Sequence, residues 1–290
     1  DVACVVTQPD RPCGRRRKLA PPPAKEFALA RGLAVRQTDD VNAPEFVDAL
    51  RALAPEVIVV AAFGQMLRRR LLGLPRHGCM NVHASLLPRH RGAAPVAYAI
   101  LSGDTETGVT IMQMVRTMDA GDILAQEATG IGPRETTGDL TPRLARLGAC
   151  LLVKAIAQIA AGKTRPEPQD HNRATFAPCL DKRFGVIVWS RPADFLARFV
   201  RAMNPWPGAF TFWMPSDALP LRVVIHEAEA VPGDAPAAGR IACIELDGFA
   251  VGAGDGLLRV HCIQASGGRP MSARDFARGH PLAVGQPFGD

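Results

Sequence analysis

The sequence predicts an α/β fold, with a doubly wound, mostly parallel sheet followed by a small β-barrel. As far as residue 162, apolar runs of strand length alternate with helix-like segments, which is the order of elements in doubly wound sheets. Beyond residue 182, short β-type runs follow one another closely, as they do in small barrels. A chain of 290 residues also exceeds the usual size of one compact domain, so two unequal domains are expected.

The elements of the first domain follow from periodicity and from Gly and Pro signals. The unbroken apolar run at 56–62 is typical of a strand buried on both faces of a parallel sheet. Residues 7–23 are rich in Pro, Gly and Arg and are expected to form a loop. The predicted strands are 2–6, 56–62, 79–83, 109–114 and 123–128, and the predicted helices are 23–31, 43–53, 94–102 and 137–161.

The second domain follows a change in pattern. The long helix at 137–161 stops before Gly162, and the segment after it has two prolines and little periodicity, which indicates a linker. One helix is then expected at 192–203, followed by strands at 209–213, 221–228, 239–246, 249–253 and 257–265. The predicted organisation is a catalytic domain at 1–162, a linker at 163–181 and a β-barrel at 182–290.

Composition restricts the class of protein. The hydrophobic fraction is 47%, yet no apolar run reaches the ~20 residues that a membrane-spanning helix needs, and a signal peptide is not evident. The seven cysteines are scattered and include no C-x-x-C pair, which argues against a zinc or redox centre and favours reduced thiols. We therefore expect a cytoplasmic protein with no membrane partner and no metal, and a monomer is the default. The formal net charge of +6 favours an anionic partner.

Three polar residues are candidates for chemistry. Asn81 and His83 are two apart near the end of a predicted strand, so their side chains share one face at the carboxyl edge of the sheet, where ligands bind in such folds. Asp119 lies in a turn that could reach the same edge. An amide can donate to an oxyanion, an imidazole can exchange protons, and a carboxylate can orient the imidazole and accept a proton. From spacing alone, the alternative that these are ordinary polar residues stays open.

A resemblance to a known family narrows this choice. The stretch Asn-Val-His-Ala-Ser-Leu-Leu-Pro-Arg-His-Arg-Gly-Ala-Ala-Pro at 81–95 resembles the signature of the methionyl-tRNA formyltransferase family. Glu-Thr-Gly-Val-Thr-Ile-Met at 106–112 and Met-Asp-Ala-Gly-Asp at 118–122 continue it in the same order and spacing. Further similar stretches lie at 7–11, 176–178, 204–210 and 267–276, so the resemblance covers nearly the whole chain.

The resemblance implies a Rossmann-like formyltransferase domain, an OB-like barrel and a set of site residues. It implies that Asn81, His83 and Asp119 are catalytic. It also implies that 10-formyltetrahydrofolate is the formyl donor and is released as tetrahydrofolate. No metal is expected. The residues that it implies for folate binding are Phe63, Gly64, Ser85, Leu86, Leu87, Pro88 and Asp122.

The amine that accepts the formyl group must be inferred from other residues, because relatives with the same trio formylate other amines. Six basic residues and no acidic residue lie between Arg11 and Lys25. Such a run can neutralise phosphates, although an isolated charge run is often only solvated. By resemblance this loop, together with the barrel, binds initiator methionyl-tRNA, whose α-amino group receives the formyl group for translation initiation. The residues predicted to contact tRNA are Arg11, Arg15, Arg16, Arg17 and Lys18.

Two alternatives remain beside this prediction. The first is an amino-sugar nucleotide formyltransferase, because those relatives can share both the trio and the Pro-Trp-Pro-Gly stretch. The second arises because the family normally opens with a strand and a Gly-Thr-Pro-Asp-Phe turn ahead of Val2. We therefore expect a full-length form that begins roughly 25 residues earlier, the usual size of a βα unit. A chain without that unit could be a catalytically impaired tRNA-binding remnant.

Overall fold

The structure is a computed structural model that describes residues 1–13, 18–215, 219–234 and 237–289. Two compact units are present. Unit 1 comprises Asp1–His83, Thr110–Gln126 and Gly148–Arg173, and unit 2 comprises Ala84–Val109, Glu127–Leu147 and Ala174–Asp290. The domain boundaries expected at 162 and 182 stay a prediction. None of the described helices is long and apolar enough to cross a membrane.

Strands and helices alternate through the first part of the chain. The strands are β1 (Val5–Thr7), β2 (Arg11–Cys13), β3 (Lys18–Ala20), β4 (Val35–Gln37), β5 (Ile58–Val60), β6 (Cys79–His83), β7 (Arg91–Gly92), β8 (Glu106–Gln113) and β9 (Ile123–Gly130). The helices are α1 (Pro23–Ala30), α2 (Pro44–Arg51), α3 (Arg69–Leu72), α4 (Pro95–Ser102) and α5 (Thr137–Ala160). The expected α/β fold is therefore confirmed.

The later part of the chain is mainly strands. These are β10 (Phe176–Ala177), β11 (Ala209–Trp213), β12 (Leu221–Val231), β13 (Ile241–Glu245), β14 (Gly248–Gly252), β15 (Leu257–Ala265), β16 (Met271–Ser272) and β17 (Phe288–Gly289). The helices are α6 (Ala193–Ala202) and α7 (Ala273–Gly279), and short 3-10 turns lie at His171–Arg173 and Lys182–Gly185. All five predicted strands of the second domain are present.

The sheet that carries the site is built around β6. Strand β5 pairs with β6 in parallel, and β6 pairs with β8 antiparallel, in the order β5-β6-β8-β9. Strand β1 pairs in parallel with β4. Behind β6, α2 buries Val47 and Leu50 and α3 buries Leu71 against Cys79, because apolar residues three or four apart share one helix face. The start of β6 therefore lies in the core, and Asn81 and His83 lie towards its other end.

Two local expectations were wrong. The run at 56–62 is not buried on both faces, because Val59 is exposed and its two neighbours in β5 are only half-buried. The predicted loop at 7–23 contains an antiparallel pair, β2 with β3. The linker expected at 163–181 stays a prediction; within it, Glu167 forms a bridge with Ile123, and β10 pairs in parallel with β7. Backbone pairing of such short segments has no periodicity that a sequence would reveal.

Unit 2 contains the OB-like barrel. Its strands follow the order β13-β14-β15-β12-β11-β17, with β16 added to β15, and each neighbouring pair is antiparallel. A bulge between Ile225 and Glu227 bends the long strand β12. The sheet curls until its two ends meet, where the backbone N–H of Ile241 donates to Gln286 at 3.0 Å. Phe249 and Phe276 fill the interior.

Candidate active site

Asn81, His83 and Asp119 lie together in unit 1. Strand β6 places Asn81 and His83 on the same face near its end, and Asp119 lies in the turn between β8 and β9. The carboxylate of Asp119 faces both side chains, with its Oδ1 3.5 Å from Asn81 Nδ2 and its Oδ2 3.7 Å from His83 Nδ1. The three residues that were expected from the sequence at one sheet edge are therefore neighbours in the structure.

The surroundings of this trio suit proton transfer. Only 5% of the His83 side chain and 11% of the Asp119 side chain are exposed, so water screens their interaction little. The distance of 3.7 Å is longer than a direct hydrogen bond and places the carboxylate within reach of the imidazole. In the described part of the chain, the amide of Asn81 donates only to Asp119, which leaves its second N–H for a ligand. The cluster thus offers a donor, an imidazole and a carboxylate.

The turn that carries Asp119 has an unusual backbone. Asp119 has a φ of 51°, in the left-handed region that side chains with a Cβ seldom adopt. The turn closes where the N–H of Gln113 donates to the carbonyl of Asp122 at 2.8 Å. A Cβ at Gly121 would lie 1.7 Å from the carbonyl oxygen of Gln113, so only glycine fits this close approach.

A fourth residue, Gln169, contacts the same turn, although no sequence pattern indicated it. Its side chain is almost fully buried, and its amide Nε2 donates to the carbonyls of Asp119 at 3.0 Å and Gly121 at 2.6 Å. Glutamines are common in polar connecting segments, and nothing in the sequence distinguishes one whose partners are backbone groups.

Phe63 and Gly64 line an open cleft of about 650 Å³ in unit 1. The opposite wall of the cleft is the β2–β3 hairpin, including Arg11 and Cys13, and the catalytic trio does not line it. Gln8 connects the two walls, because its Nε2 donates to the carbonyl of Phe63 at 3.1 Å and its Oε1 accepts from Arg11 at 3.2 Å. The predicted folate residues Phe63 and Gly64 thus lie next to a predicted tRNA residue.

A polar network anchors the base of the hairpin. Lys25 donates to Asp10 at 2.8 Å and to Gln37 at 2.7 Å, and Gln37 in turn donates to Asp10 and to the carbonyl of Gln8, both at 2.8 Å. The hydrogen bonds from Lys25 and Gln37 lower the pKa of Asp10. Arg11 and Lys18 are exposed at the two ends of the hairpin, and Arg15, Arg16 and Arg17 lie outside the described residues.

The predicted folate loop at 85–88 belongs to unit 2, and its residues alternate in exposure. Ser85 and Leu87 are buried, and the Ser85 hydroxyl donates to the carbonyl of Arg89 at 2.6 Å. Leu86 and Pro88 are partly exposed and present side-chain surface. A Cβ at Gly108 would lie 2.5 Å from Leu86, so glycine leaves room for this leucine. Asp122, the remaining predicted folate residue, is exposed in unit 1.

The end of this loop is held by a carboxylate. Asp104 accepts from Arg89 Nε at 2.9 Å and lies 2.7 Å from the buried His90 Nε2. Burial of Asp104 opposes its charge, but the hydrogen bonds from Arg89 and His90 outweigh it and lower the pKa of Asp104. Among the described residues no group of three or more His, Cys, Asp and Glu could hold a metal ion.

Comparisons with known proteins identify the family. Residues 1–156 match the family model described as formyl transferase, and residues 180–281 match the model of the formyl transferase C-terminal domain. The chain is 46% identical over 290 residues to the methionyl-tRNA formyltransferase of Moorella thermoacetica, covering 100% of this chain and 92% of the relative. It is 44% identical to the enzyme of the same name from Trichlorobacter lovleyi, covering 98% of this chain and 88% of the relative.

Solved structures share the fold. HypX from Aquifex aeolicus in complex with tetrahydrofolic acid matches with a TM-score of 0.61 and 15% identity, covering 96% of this chain and 47% of HypX. This chain thus spans about half the length of HypX. The sugar 3N-formyl transferase WlaRD matches with a TM-score of 0.60 and 18% identity, covering 90% of this chain and 87% of WlaRD. The matches in sequence show that the chain is a formyl-transferring enzyme that belongs to the formyl transferase family.

Proposed function

We propose that the enzyme transfers the formyl group of 10-formyltetrahydrofolate to the α-amino group of methionyl-initiator tRNA, and that Asn81, His83 and Asp119 are its catalytic residues. The observation that carries the proposal is the convergence of these three side chains in a chain whose relatives are methionyl-tRNA formyltransferases over almost their full length. We also propose that it acts as a monomer in the cytoplasm, a location that its seven free thiols support.

The reaction needs an oxyanion donor and two proton transfers. The amine attacks the formyl carbon, its lone pair forms the new C–N bond, and the carbonyl oxygen becomes an oxyanion. Asn81 donates to this oxyanion through the N–H that Asp119 does not use, and protonated His83 supplies a second donor. When the bond from the formyl carbon to N10 of the donor breaks, N10 takes a proton from the imidazole. Asp119 holds the imidazole and accepts, through water, the proton that the amine loses.

The donor is assigned to the predicted folate-binding residues. Phe63 supplies an aromatic edge and Gly64 an open backbone for a planar pterin ring, and the exposed Asp122 supplies a carboxylate for the amino groups of that ring. In the loop at 85–88 we assign contact to Leu86 and Pro88, which have accessible side chains. Ser85 and Leu87 instead determine the shape of the loop, because both are buried.

The acceptor is assigned to the basic hairpin and the barrel. Arg11 and Lys18 project from the hairpin, and with Arg15, Arg16 and Arg17 they can neutralise phosphates of the acceptor end. Lys25 does not belong to this group, because its ammonium is already paired with Asp10. The network around Asp10 holds the base of the hairpin beside Arg11. Barrels of the OB type commonly bind nucleic acids, which supports a similar role for unit 2.

A pair of matched variants tests the acceptor. In the first, Arg15, Arg16 and Arg17 become alanine. In the control, the exposed Arg68, Arg69 and Arg70 become alanine, so both variants lose three positive charges. We expect the first variant alone to lose tRNA affinity, with a log K against log salt slope that is shallower by about 2 to 3. Equal effects in both variants would show that the overall charge matters and the loop does not.

The same variants separate the two alternatives. An amino-sugar nucleotide formyltransferase would keep its activity after loss of the three loop arginines, and it would formylate amino-sugar nucleotides while leaving charged tRNA unmodified. A catalytically impaired remnant would bind methionyl-tRNA with the same salt dependence and release no formylated product. Turnover of tRNA by the unmodified enzyme, together with its loss in the loop variant, excludes both.

A further inference from the structure

Gln169 lies behind the turn that carries Asp119. Its Nε2 group donates to the carbonyl of Gly121 at 2.6 Å and to the carbonyl of Asp119 at 3.0 Å, so one amide group binds the backbone on both sides of Ala120. Only 6% of Gln169 is exposed, and polar atoms this deeply buried are normally fixed by hydrogen bonds. The glutamine therefore restrains the backbone of the turn.

Backbone pairing delivers Gln169 to this place. Glu167 and Ile123 form an antiparallel bridge, in which the N–H of Ile123 donates to Glu167 at 2.8 Å and the N–H of Glu167 donates back at 2.9 Å. Ile123 is the first residue of β9 and follows the turn directly. The segment before Gln169 is thus aligned with the strand that leaves the turn, which leaves the glutamine side chain little freedom.

Asp119 has a backbone conformation that such a restraint can stabilise. Its φ of 51° lies in the left-handed region, which costs free energy for a residue with a Cβ even though Asp tolerates it better than most. The carboxylate of this residue faces Asn81 and His83 at 3.5 and 3.7 Å. A small change in the backbone at Asp119 would move the carboxylate away from both side chains.

We infer that Gln169 is a positioning residue for catalysis, which acts by holding the Asp119 turn in the conformation that directs its carboxylate at Asn81 and His83. The inference rests on the proposed catalytic role of Asp119. In this role Gln169 contacts the turn and neither substrate. Its loss is expected to lower kcat about tenfold to a hundredfold, because displacement of a catalytic group by about an ångström has effects of that size. The KM values for both substrates should change little.

The test is a double-mutant cycle on the full chain. The variants are Gln169→Ala, Gln169→Glu, Asp119→Asn and the double variant Gln169→Ala with Asp119→Asn, assayed for kcat and KM with formyl donor and charged tRNA. Gln169→Glu keeps the size of the side chain but removes the N–H donor at neutral pH. If Gln169 acts through Asp119, Gln169→Glu should lose as much kcat as Gln169→Ala. In the Asp119→Asn background, Gln169→Ala should then lower kcat less than twofold further.

A control separates positioning from stability. Leu151→Ala truncates a side chain of α5 that is buried in unit 1 and has no part in the site, and it should lower the melting temperature with kcat unchanged while the protein remains folded. The inference is overturned if Gln169→Ala behaves in this same way, if Gln169→Glu keeps full kcat, or if the losses from Gln169→Ala and Asp119→Asn multiply. If Asp119→Asn alone keeps full activity, the proposed catalytic role of Asp119 is wrong as well, while the formylation of tRNA stands, which distinguishes that failure from the others.

Discussion

Removal of the Asn81 amide is the sharpest perturbation of the proposed mechanism. In Asn81→Ala the free enzyme loses one contact with Asp119 at 3.5 Å, the upper limit for a hydrogen bond, so the cost in stability should be within about 1 kcal/mol. The transition state loses a donor to the oxyanion. Loss of one such donor typically lowers kcat by about 10² to 10³, equivalent to about 2.7 to 4 kcal/mol. The effect on rate should therefore exceed the effect on stability.

The assay is the initial rate of formylation at saturating donor, with charged tRNA varied, together with thermal melting of each variant. Asn172→Ala is the matched control, because Asn172 is an exposed asparagine that has no part in the site. We expect KM to change less than kcat, since the lost interaction forms mainly in the transition state. A loss of kcat smaller than about tenfold, or a loss confined to KM, would refute the assignment of Asn81 as the oxyanion donor.

Three further predictions concern the framework of the site. Asp104→Asn should lower the free energy of unfolding by about 1.5 to 3 kcal/mol in urea titrations at pH 7. Because the pKa of Asp104 is lowered in the folded protein, its charged form stabilises the fold at pH values above its pKa in the unfolded chain. The difference in unfolding free energy between the two proteins should therefore narrow as the pH falls below about 4, and a difference that stays constant would contradict this role. Burial raises the pKa of Cys79 to about 12, so iodoacetamide at pH 8 should label the exposed Cys150 and leave Cys79 unlabelled until unfolding, as peptide mass spectrometry would record. Gly121→Ala should lower kcat at least about tenfold, because the added Cβ would lie 1.7 Å from the carbonyl oxygen of Gln113 and would displace the turn. Steady-state kinetics measure this effect, and an unchanged kcat would show that the turn does not need this close approach.

The elements that position the trio could be predicted because they bury regular apolar patterns. Strand β6 has the predicted ends, and α5 differs from its prediction by one residue at its end. The predicted end of β6 and the predicted Gly-containing turn also place Asn81, His83 and Asp119 at the same edge of the sheet. Their roles, however, were suggested by family resemblance, since side chains at a sheet edge are compatible with many reactions.

Features that depend on contacts with the backbone could not be predicted. Gln169 binds two carbonyls that precede it by 50 and 48 residues, and a carbonyl has no residue type to recognise. The exposure of Val59 in β5 likewise depends on which elements cover the strand. In the loop at 85–88, four residues were expected to share one role, yet the packing of Ser85 and Leu87 separates them from their neighbours.

Formylation of methionyl-initiator tRNA is tested directly by incubating the purified enzyme with 10-formyltetrahydrofolate and the charged tRNA. The aminoacyl group is then released from the tRNA and identified by mass spectrometry. We expect formylmethionine from the unmodified enzyme, with at least a hundredfold less from His83→Ala, which removes the proton-transferring imidazole. Formylation of an amino-sugar nucleotide with no formylmethionine on tRNA would contradict the account.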